Sequence, residues 1–439
     1  MAVAASENQH VHTAVESFPS AGLPRLRGDQ TVALLLQGYS YGARRFEQVG
    51  TDAFLTRLAG QPVLFVRGAD AARFFYEGGR FTRRAALPPT VLHSLQDKGS
   101  VQTLTDREHA VRKGLFLDVL NDSERTRMVS IFGEEWLKSV DSWADSDSIR
   151  LHDAAAEVLT RAACAWAGLP LSGRSVQHRT TEFLAMIDGA GGFGPRNWRG
   201  LTLRRRTERW AQEALSDVDP ASNSVMGRLR RHRDLDGSSM DLETAAVELL
   251  NLLRPTVAVG RFMVFAALAL LQHPHWAEQF RAGNEEHLRG FAQEVRRCAP
   301  FFPLVGGRAS RPVDWNGHRI PTGSWVMLDI FATHRDPRLW EDPLRFRPDR
   351  HVGAAHADAL IAQGAGDYAD GHRCPGEPAT VELIEEAIRL LTRRMRYDVP
   401  PQDLRVDLRR FPTLPRSGFV MTNVTPVEDR SLEASTSLG

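Results

Sequence analysis

The heptapeptide Gly371-His-Arg-Cys374-Pro-Gly-Glu377 is the most informative stretch of the sequence. It stands immediately before a segment, Ala379 to Met395, in which apolar residues recur at helical spacing. Pro375 suits the first position of a helix, and Glu377 suits the third, where the helix dipole favours an acidic group. This pattern predicts a helix that begins at the heptapeptide, with Cys374 at its cap.

A cysteine at the positive end of a helix is expected to have a lowered pKa, because its thiolate is stabilised there. The thiolate is the form that ligates iron, and in haem enzymes it donates electron density that favours O–O cleavage. We therefore predict that Cys374 is the axial ligand of a haem iron. The alternative, which an isolated Cys-Pro-Gly would favour, is an unligated cysteine at a loop–helix junction.

The composition is typical of a soluble globular protein. Of 439 residues, 42% are hydrophobic and 25% are charged, and the net charge of +1 indicates neither a nucleic-acid-binding nor a membrane-binding surface. The three cysteines are widely spaced and odd in number, which argues against a disulfide framework or a zinc site and fits a cytoplasmic protein. The first residues lack a basic start followed by an apolar stretch, so we predict no signal peptide and no membrane anchor.

The longest helical pattern, Asp241 to Gln272, contains two arginines and a proline within an apolar run. We expect a buried helix and not a membrane span, because an arginine at mid-bilayer costs roughly 2.5–3.5 kcal/mol. Pro255 is expected to delete one helical hydrogen bond and to kink the helix. Arg261 lies two turns after Arg254 on nearly the same face, and we expect it to reach solvent or to bind a second anion.

Arg254 predicts a bound anion, because a buried guanidinium stays charged and is costly unless it is paired. The alternative is an internal ion pair with Glu248 or another acid. Pro378 is a separate anomaly, which we expect to remove a hydrogen bond from the first turn after Cys374.

The remaining pattern predicts a mainly α protein with small β-sheets. We predict a single domain over residues 26–427, with disordered extensions at 1–25 and 428–439. Helices are predicted within 31–60 and at 69–77, from Asp106, and at 124–144, 151–167, 174–189, 241–272, 277–297 and 379–396. A strand is predicted at 61–66, a strand–turn–strand unit at 319–331 and a closing hairpin at 414–421.

Three motifs in this order resemble the cytochrome P450 family. They are Glu294-Val-Arg-Arg297, Phe346-Arg-Pro-Asp-Arg350 and the Cys374-Pro-Gly that precedes a helix. The resemblance runs from about residue 30 to about residue 425. It implies the cytochrome P450 fold, a haem b cofactor with Cys374 as axial thiolate, and a structural lock between Glu294, Arg297 and the region of Arg350.

The central helix departs from the ordinary members of that family. Arg254 and Pro255 occupy the positions of the acid–alcohol pair that relays protons during dioxygen activation. These departures resemble the bacterial fatty-acid peroxygenases, as do the segments 248–258, 293–297, 371–377, 397–400 and 414–421. The resemblance implies a fatty acid and hydrogen peroxide as substrates, and no dedicated reductase.

The resemblance also assigns roles in the substrate site. Arg254 would bind the fatty-acid carboxylate, which would act as general acid–base, and the catalytic site would comprise Arg254, Pro255 and Gln102. Gln102 matches a position over the haem where hydroxylating members tend to carry Gln and alkene-forming members His. Phe302 and Phe193 would line the acyl pocket.

The cofactor site implied by the resemblance includes Gly376 beside Cys374. His109 and Lys113, with Arg83 or Arg84, would bind the haem propionates. For His109 and Lys113 alone, an exposed pair of residues one helical turn apart is the alternative.

The resemblance thus implies hydrogen-peroxide-dependent hydroxylation of fatty acids at the α and/or β carbon. One alternative is oxidative decarboxylation of fatty acids to terminal alkenes on the same scaffold. The others are a reductase-dependent monooxygenase and a non-catalytic haem protein.

Overall fold

The structure is a computed structural model that describes residues 22–95, 99–191, 194–351 and 358–427. Phe193 and most of the two predicted disordered extensions lie outside the described residues. The first strand begins at Arg25 and pairs with the second, so the predicted start of the domain at residue 26 falls inside this strand.

The described part of the chain is mainly helical, as predicted. Its helices are α1 (Thr31–Gln37), α2 (Ser40–Val49), α3 (Ala69–Tyr76), α4 (Pro89–Leu95), α5 (Asp106–Val119), α6 (Asp122–Ala144), α7 (Leu151–Ala167), α8 (Arg174–Gly189), α9 (Pro195–Ser216), α10 (Val225–Arg231), α11 (Leu242–Ala258), α12 (Gly260–Gln272), α13 (Pro274–Arg281), α14 (Leu288–Cys298), α15 (Ile330–Thr333) and α16 (Glu377–Arg389). Short 3₁₀ segments cover Val101–Thr103 and Pro348–His351, and a π-helical turn covers Leu390–Arg394.

The strands form small sheets beside the helices. They are β1 (Arg25–Asp29), β2 (Ala53–Leu58), β3 (Gln61–Val66), β4 (Phe81–Thr82), β5 (Ser148–Arg150), β6 (Leu304–Ala309), β7 (Val313–Trp315), β8 (His318–Ile320), β9 (Trp325–Asp329), β10 (Met395–Asp398) and β11 (Val420–Pro426). The largest sheet has the order β1-β2-β3-β9-β6-β4, a second has the order β10-β11-β5, and β7 pairs with β8.

Helices α11 and α12 lie at the centre of the helical core. They pack against α7, α8, α9 and α16, and their apolar side chains belong to one large buried cluster. The combined stretch Leu242–Gln272 is long and apolar enough to cross a membrane, but 72% of its most apolar window is buried inside the protein. Burial of this kind fits the predicted buried helix of the core.

The break in this central helix differs from the prediction. Pro255 lies within α11, and the helix continues past it to Ala258. The interruption falls at Val259, whose N–H bonds to Thr256 O at 3.1 Å. A Cβ on Gly260 would lie 3.3 Å from Leu159 of α7, so this glycine permits the close approach of the two helices.

Four predicted elements differ from the structure because local periodicity does not report pairing. The region 31–60 contains α1 and α2 but ends in strand β2, since Gly50 adopts a left-handed conformation that terminates α2. The two strands within 319–331 belong to different sheets, because β8 pairs with β7 whereas β9 pairs with β3 and β6. The predicted helix at 277–297 is divided into α13 and α14. The predicted hairpin at 414–421 is wrong, because β11 begins at Val420 and pairs with β10 and β5.

Candidate functional site

The Cys374 loop is held by hydrogen bonds to Gln363. The Cys374 N–H donates to Gln363 O at 2.9 Å, and the Gln363 side-chain Nε2 lies 3.8 Å from Cys374 Sγ. Gln363 is itself fixed, since Nε2 also donates to Thr380 Oγ1 of α16 at 2.9 Å. Two independent bonds therefore set the position of the cysteine sulfur.

The predicted capping geometry of Cys374 is wrong by two residues. The cap of α16 is Gly376, and Glu377 is the first helical residue. Pro378 consequently occupies the first turn, where a backbone N–H has no partner within the helix, so it removes no hydrogen bond. The predicted loss of a bond at Pro378 is therefore also wrong.

The pKa of the Cys374 thiol is raised and not lowered as predicted. Burial is the main cause, because desolvation disfavours the thiolate. The backbone N–H of Gly376 and the side chain of Gln363 act in the opposite direction by stabilising the thiolate. Gly376, predicted as part of the cofactor site, thus directs its N–H toward the sulfur.

A buried arginine that was not singled out from the sequence stabilises this loop through hydrogen bonds to Gln363 and Glu377. Arg296 donates through Nε to Gln363 Oε1 at 3.0 Å and through Nη2 to Glu377 Oε1 at 2.6 Å. Glu377 also accepts from Arg373 Nε at 2.6 Å. The only signal in the sequence was that Arg296 stands beside Arg297, which already had a predicted partner.

The predicted lock around Glu294 is present. Arg297 donates to both carboxylate oxygens of Glu294 at 2.8 and 2.7 Å. Arg350 Nε lies 3.3 Å from Glu294, and His351 Nε2 lies 2.7 Å from it. These contacts hold the pKa of Glu294 at about 2 against the effect of burial, because the paired cations favour the carboxylate.

Several basic side chains surround the Cys374 loop. His109 and Lys113 are buried, which contradicts the alternative of an exposed pair. Lys113 Nζ donates to the carbonyls of Gly371 and of Arg373, the latter at 2.9 Å. The ring of His109 lies 4.0 Å from that of His372, a residue to which the sequence analysis gave no role.

Desolvation lowers the pKa of each of these groups. Burial lowers the pKa of His109 to about 4, of Lys113 to about 8 and of His372 to about 2. Arg83 donates to Gly306 O at 2.9 Å and lies 4.3 Å above the Phe75 ring. Arg84 is exposed, so Arg83 is the better candidate for a buried anion. Buried basic groups suit the carboxylates of a haem, because a buried cation is costly unless it is paired.

On the central helix, the structure brings Arg254 and Gln102 close to the same side chain. Arg254 is buried, and its Nη2 donates to Leu95 O and to Asn251 Oδ1, the latter at 3.1 Å. Asn251 Nδ2 in turn lies 3.4 Å from Gln102 Oε1. Asn251 is a site residue that the sequence analysis missed, although its position one turn before Arg254 was a signal.

The alternative partner proposed for Arg254 is engaged elsewhere. Glu248 accepts from Arg112 Nη1 at 2.8 Å and from Asn251 Nδ2 at 3.0 Å.

Two further predicted site residues are exposed to solvent: Pro255 is exposed, and Phe302 is 44% exposed. Phe301, next to it, packs against Phe262 of α12, with ring centroids 5.1 Å apart.

Arg261 was expected to reach solvent or to bind a second anion, and the structure contradicts both expectations. It is buried, and its guanidinium pairs with Asp188 at the end of α8. The Arg261 Nη1 atom also donates to Thr413 O at 3.4 Å. This pair connects α8, α12 and the segment before β11.

A family model and several curated proteins match part of this chain in sequence. The cytochrome P450 family model matches residues 286–403. Putative cytochrome P450 135B1 from Mycobacterium tuberculosis is 30% identical over 215 residues, 44% of each chain. Cytochrome P450 93A3 from Glycine max is 28% identical over 192 residues, 42% of this chain and 36% of the relative. The chain spans about a quarter to a half of the length of the curated relatives it matches.

Solved structures match almost the whole chain. A variant of cytochrome P450SP alpha (CYP152B1) has a TM-score of 0.88 and 36% identity, covering 91% of this chain and 100% of its own. Cytochrome P450EX alpha (CYP152N1) with myristic acid has a TM-score of 0.88 and 34% identity over 92% of this chain and 100% of its own. Ligand-free cytochrome P450 OleT has a TM-score of 0.89 and 32% identity over 93% of this chain and 100% of its own.

The partly buried Cys374 loop, with basic side chains beside it on this fold, is the arrangement expected of a haem site. The chain belongs to the cytochrome P450 family, and the CYP152 matches confirm the predicted subgroup. Its cofactor is haem b, and Cys374 remains the predicted axial ligand. Cys374, the N–H of Gly376 and the basic cluster of His109, His372, Lys113 and Arg83 fit this group.

Proposed function

We propose that the protein hydroxylates fatty acids at the α and/or β carbon with hydrogen peroxide as oxidant. The observation that carries the proposal is Arg254, a buried guanidinium on the central helix beside Gln102 and Asn251. Two of its acceptors, Asn251 Oδ1 and Leu95 O, are uncharged, so they orient the guanidinium without adding a counter-charge. A carboxylate is the ligand that a guanidinium binds best, through two parallel hydrogen bonds.

The proposed substrate class follows from this anchor and from the relatives. Cytochrome P450EX alpha is known with myristic acid, and an OleT variant is known in complex with arachidonic acid. A fatty acid held by Arg254 would direct its acyl chain into the core, where Phe262 and Phe301 pack together. Phe302 remains a predicted pocket residue at the more exposed edge of this aromatic pair.

The bound carboxylate would replace the missing proton relay. When bound, the haem supplies the peroxide-dependent oxidation. The substrate carboxylate, held on Arg254, would accept a proton from hydrogen peroxide and return it to the departing oxygen, as a general acid–base. Arg254 remains charged throughout, so it orients the carboxylate without competing for the proton.

Anchoring at the carboxylate also explains the proposed position of attack. The carbons adjacent to the carboxylate are fixed by the anchor, whereas the distal chain keeps more freedom. Gln102, whose Oε1 lies beside Asn251, matches hydroxylating members of the resembled subgroup and favours hydroxy acids over alkenes.

The test is turnover of myristic acid by the haem-loaded protein with hydrogen peroxide alone, with the products resolved by mass. The proposal predicts hydroxy acids oxidised at the first two carbons after the carboxyl. Terminal alkenes as the main product would establish decarboxylation instead. Turnover only with an electron-transfer partner and dioxygen would refute the peroxygenase proposal, and no turnover in either system would indicate a non-catalytic haem protein.

A further inference from the structure

We propose that Glu248 is a positioning residue that orients Arg254 through Asn251, an inference that rests on the proposed role of Arg254 in binding a carboxylate. Glu248 lies in α11 and is completely buried. Donors from the protein occupy its carboxylate, so it would act only through its neighbours.

Three donors converge on the Glu248 carboxylate. Oε1 accepts from the Val101 N–H at 2.8 Å and from Arg112 Nη1 at 2.8 Å. Oε2 accepts from Asn251 Nδ2 at 3.0 Å. Desolvation raises the pKa of Glu248, while these donors and the charge of Arg112 oppose that shift. A carboxylate that receives three donors is an acceptor only, and this property has a consequence for Asn251.

The Glu248 carboxylate fixes which end of the Asn251 amide faces Arg254. Nδ2 of Asn251 must point to Glu248, so Oδ1 points to Arg254 Nη2 at 3.1 Å. A reversed amide would oppose oxygen to the carboxylate and direct N–H groups at the guanidinium, and both contacts would be repulsive. Glu248 thereby ensures that Arg254 has an acceptor on this side and points its remaining N–H groups elsewhere.

The same carboxylate fixes the segment that carries Gln102. The bond from Val101 N–H attaches the short helix Val101–Thr103 to α11. Gln102 Oε1 then lies 3.4 Å from Asn251 Nδ2. One buried acid thus sets the relative position of the two residues proposed to face the substrate carboxylate.

The outer end of the network provides a matched control. Arg112 donates through Nε and Nη2 to Asp234, at 2.8 Å and 2.6 Å for Oδ1. Asp234 is half-buried and lies in the loop before α11. Removing the charge of Asp234 weakens the Arg112–Asp234 pair but leaves the Glu248–Asn251 hydrogen bond in place.

The test compares the binding of myristic acid and of the matching fatty alcohol to the haem-loaded protein by calorimetry. In Glu248→Gln the side chain keeps its size, but its NH₂ group opposes Asn251 Nδ2 and favours the reversed amide. We expect binding of the acid to weaken by about tenfold or more, because Arg254 loses its orienting acceptor. Binding of the alcohol, haem content and the absorbance of the ferrous–CO complex should stay near the wild-type values.

Glu248→Asp and Asp234→Asn complete the experiment. Glu248→Asp keeps the charge opposite Arg112 but shortens the reach to Asn251, so it should show the same selective loss even if Glu248→Gln folds poorly. Asp234→Asn should keep the wild-type ratio of acid to alcohol affinity. A wild-type ratio in both Glu248 variants, or an equal loss of both ligands, would overturn the inference. If the wild type itself does not prefer the acid, the proposed role of Arg254 fails instead.

Discussion

Arg296 and Glu377 form a buried ion pair, with Nη2 and Oε1 2.6 Å apart, directly beside the Cys374 loop. Arg296 also donates through Nε to Gln363 at 3.0 Å, and Gln363 reaches Cys374 Sγ. The pair therefore joins α14, α16 and the segment before the cysteine in one network. Two adjacent arginines on α14 therefore have different partners: Arg297 pairs with Glu294, whereas Arg296 pairs with Glu377 and stabilises the cysteine loop.

The first prediction concerns Arg296→Met. Breaking a buried pair typically costs about 3–5 kcal/mol, and Arg373, which still pairs with Glu377, places the expected cost at the lower end of this range. We expect a loss of this size in the free energy of unfolding measured in urea, together with poorer haem retention. Arg289→Met on the same helix is the control. Arg289 is 67% exposed and pairs with Glu385, and exposed ion pairs contribute about 0–1 kcal/mol. Equal effects of the two substitutions would contradict the role assigned to Arg296.

A second prediction concerns Gln363→Leu, which removes the side-chain donor facing Cys374 Sγ. A hydrogen bond to a thiolate withdraws electron density from it, so its loss should lower the reduction potential of the haem. Spectroelectrochemical titration of the two haem-loaded proteins measures this shift directly. An unchanged or higher potential would show that Gln363 does not influence the sulfur.

The third prediction is a pH dependence at Asp329, which caps α15 by accepting from Ala332 N–H at 2.7 Å. Burial raises the pKa of Asp329 from 3.8 to about 7 in the folded protein. Between these values the folded protein holds a proton there that the unfolded chain has released. The contribution of Asp329 to stability should therefore fall as the pH rises from about 4 to about 7.

Asp329→Asn isolates this contribution because the amide oxygen can still cap α15. Each pKa unit corresponds to about 1.4 kcal/mol, so the stability difference between the wild type and the variant should change by up to roughly 4 kcal/mol across that range. Urea unfolding at about pH 4 and at about pH 8 measures this change. A difference between the two proteins that stays constant with pH would rule out a raised pKa for Asp329.

The fourth prediction concerns the product ratio and Gln102→His. Alkene-forming members of the fatty-acid peroxygenase subgroup tend to carry His at this position, and imidazole can hold a proton near neutral pH. Because Gln102 lies beside Asn251, the substitution should change the protonation near the substrate carboxylate and raise the fraction of terminal alkene. Gas chromatography of the products from myristic acid measures the ratio. A ratio equal to that of the wild type would show that this position does not control the outcome.

Much of the molecule could be predicted from sequence because its key features are local. Cys374 stands before an amphipathic helix, and Arg254 interrupts an apolar run, so both were visible without any knowledge of the fold. The helices α7 and α8 were predicted with their observed ends for the same reason.

The missed features depend on contacts between distant parts of the chain. Glu248 and Arg112 are 136 positions apart, and Arg296 and Glu377 are 81 apart, so no periodicity reports their pairing. The pKa of Cys374 was predicted in the wrong direction because sequence indicates the nearby helix end but not the desolvation around the sulfur.

The central claim is that a substrate carboxylate bound to Arg254 acts as the general acid–base. The measurement that tests it most directly is peroxide-driven turnover of myristic acid by the wild type and by Arg254→Ala, with Arg205→Ala on the exposed face of α9 as the control. A positioned acid–base typically contributes about 10²–10⁴-fold, so the account predicts a loss of that order in Arg254→Ala at equal haem content, and no change in Arg205→Ala. Turnover by Arg254→Ala within a factor of about two of the wild type would contradict it, because proton transfer would then proceed without the anchored carboxylate.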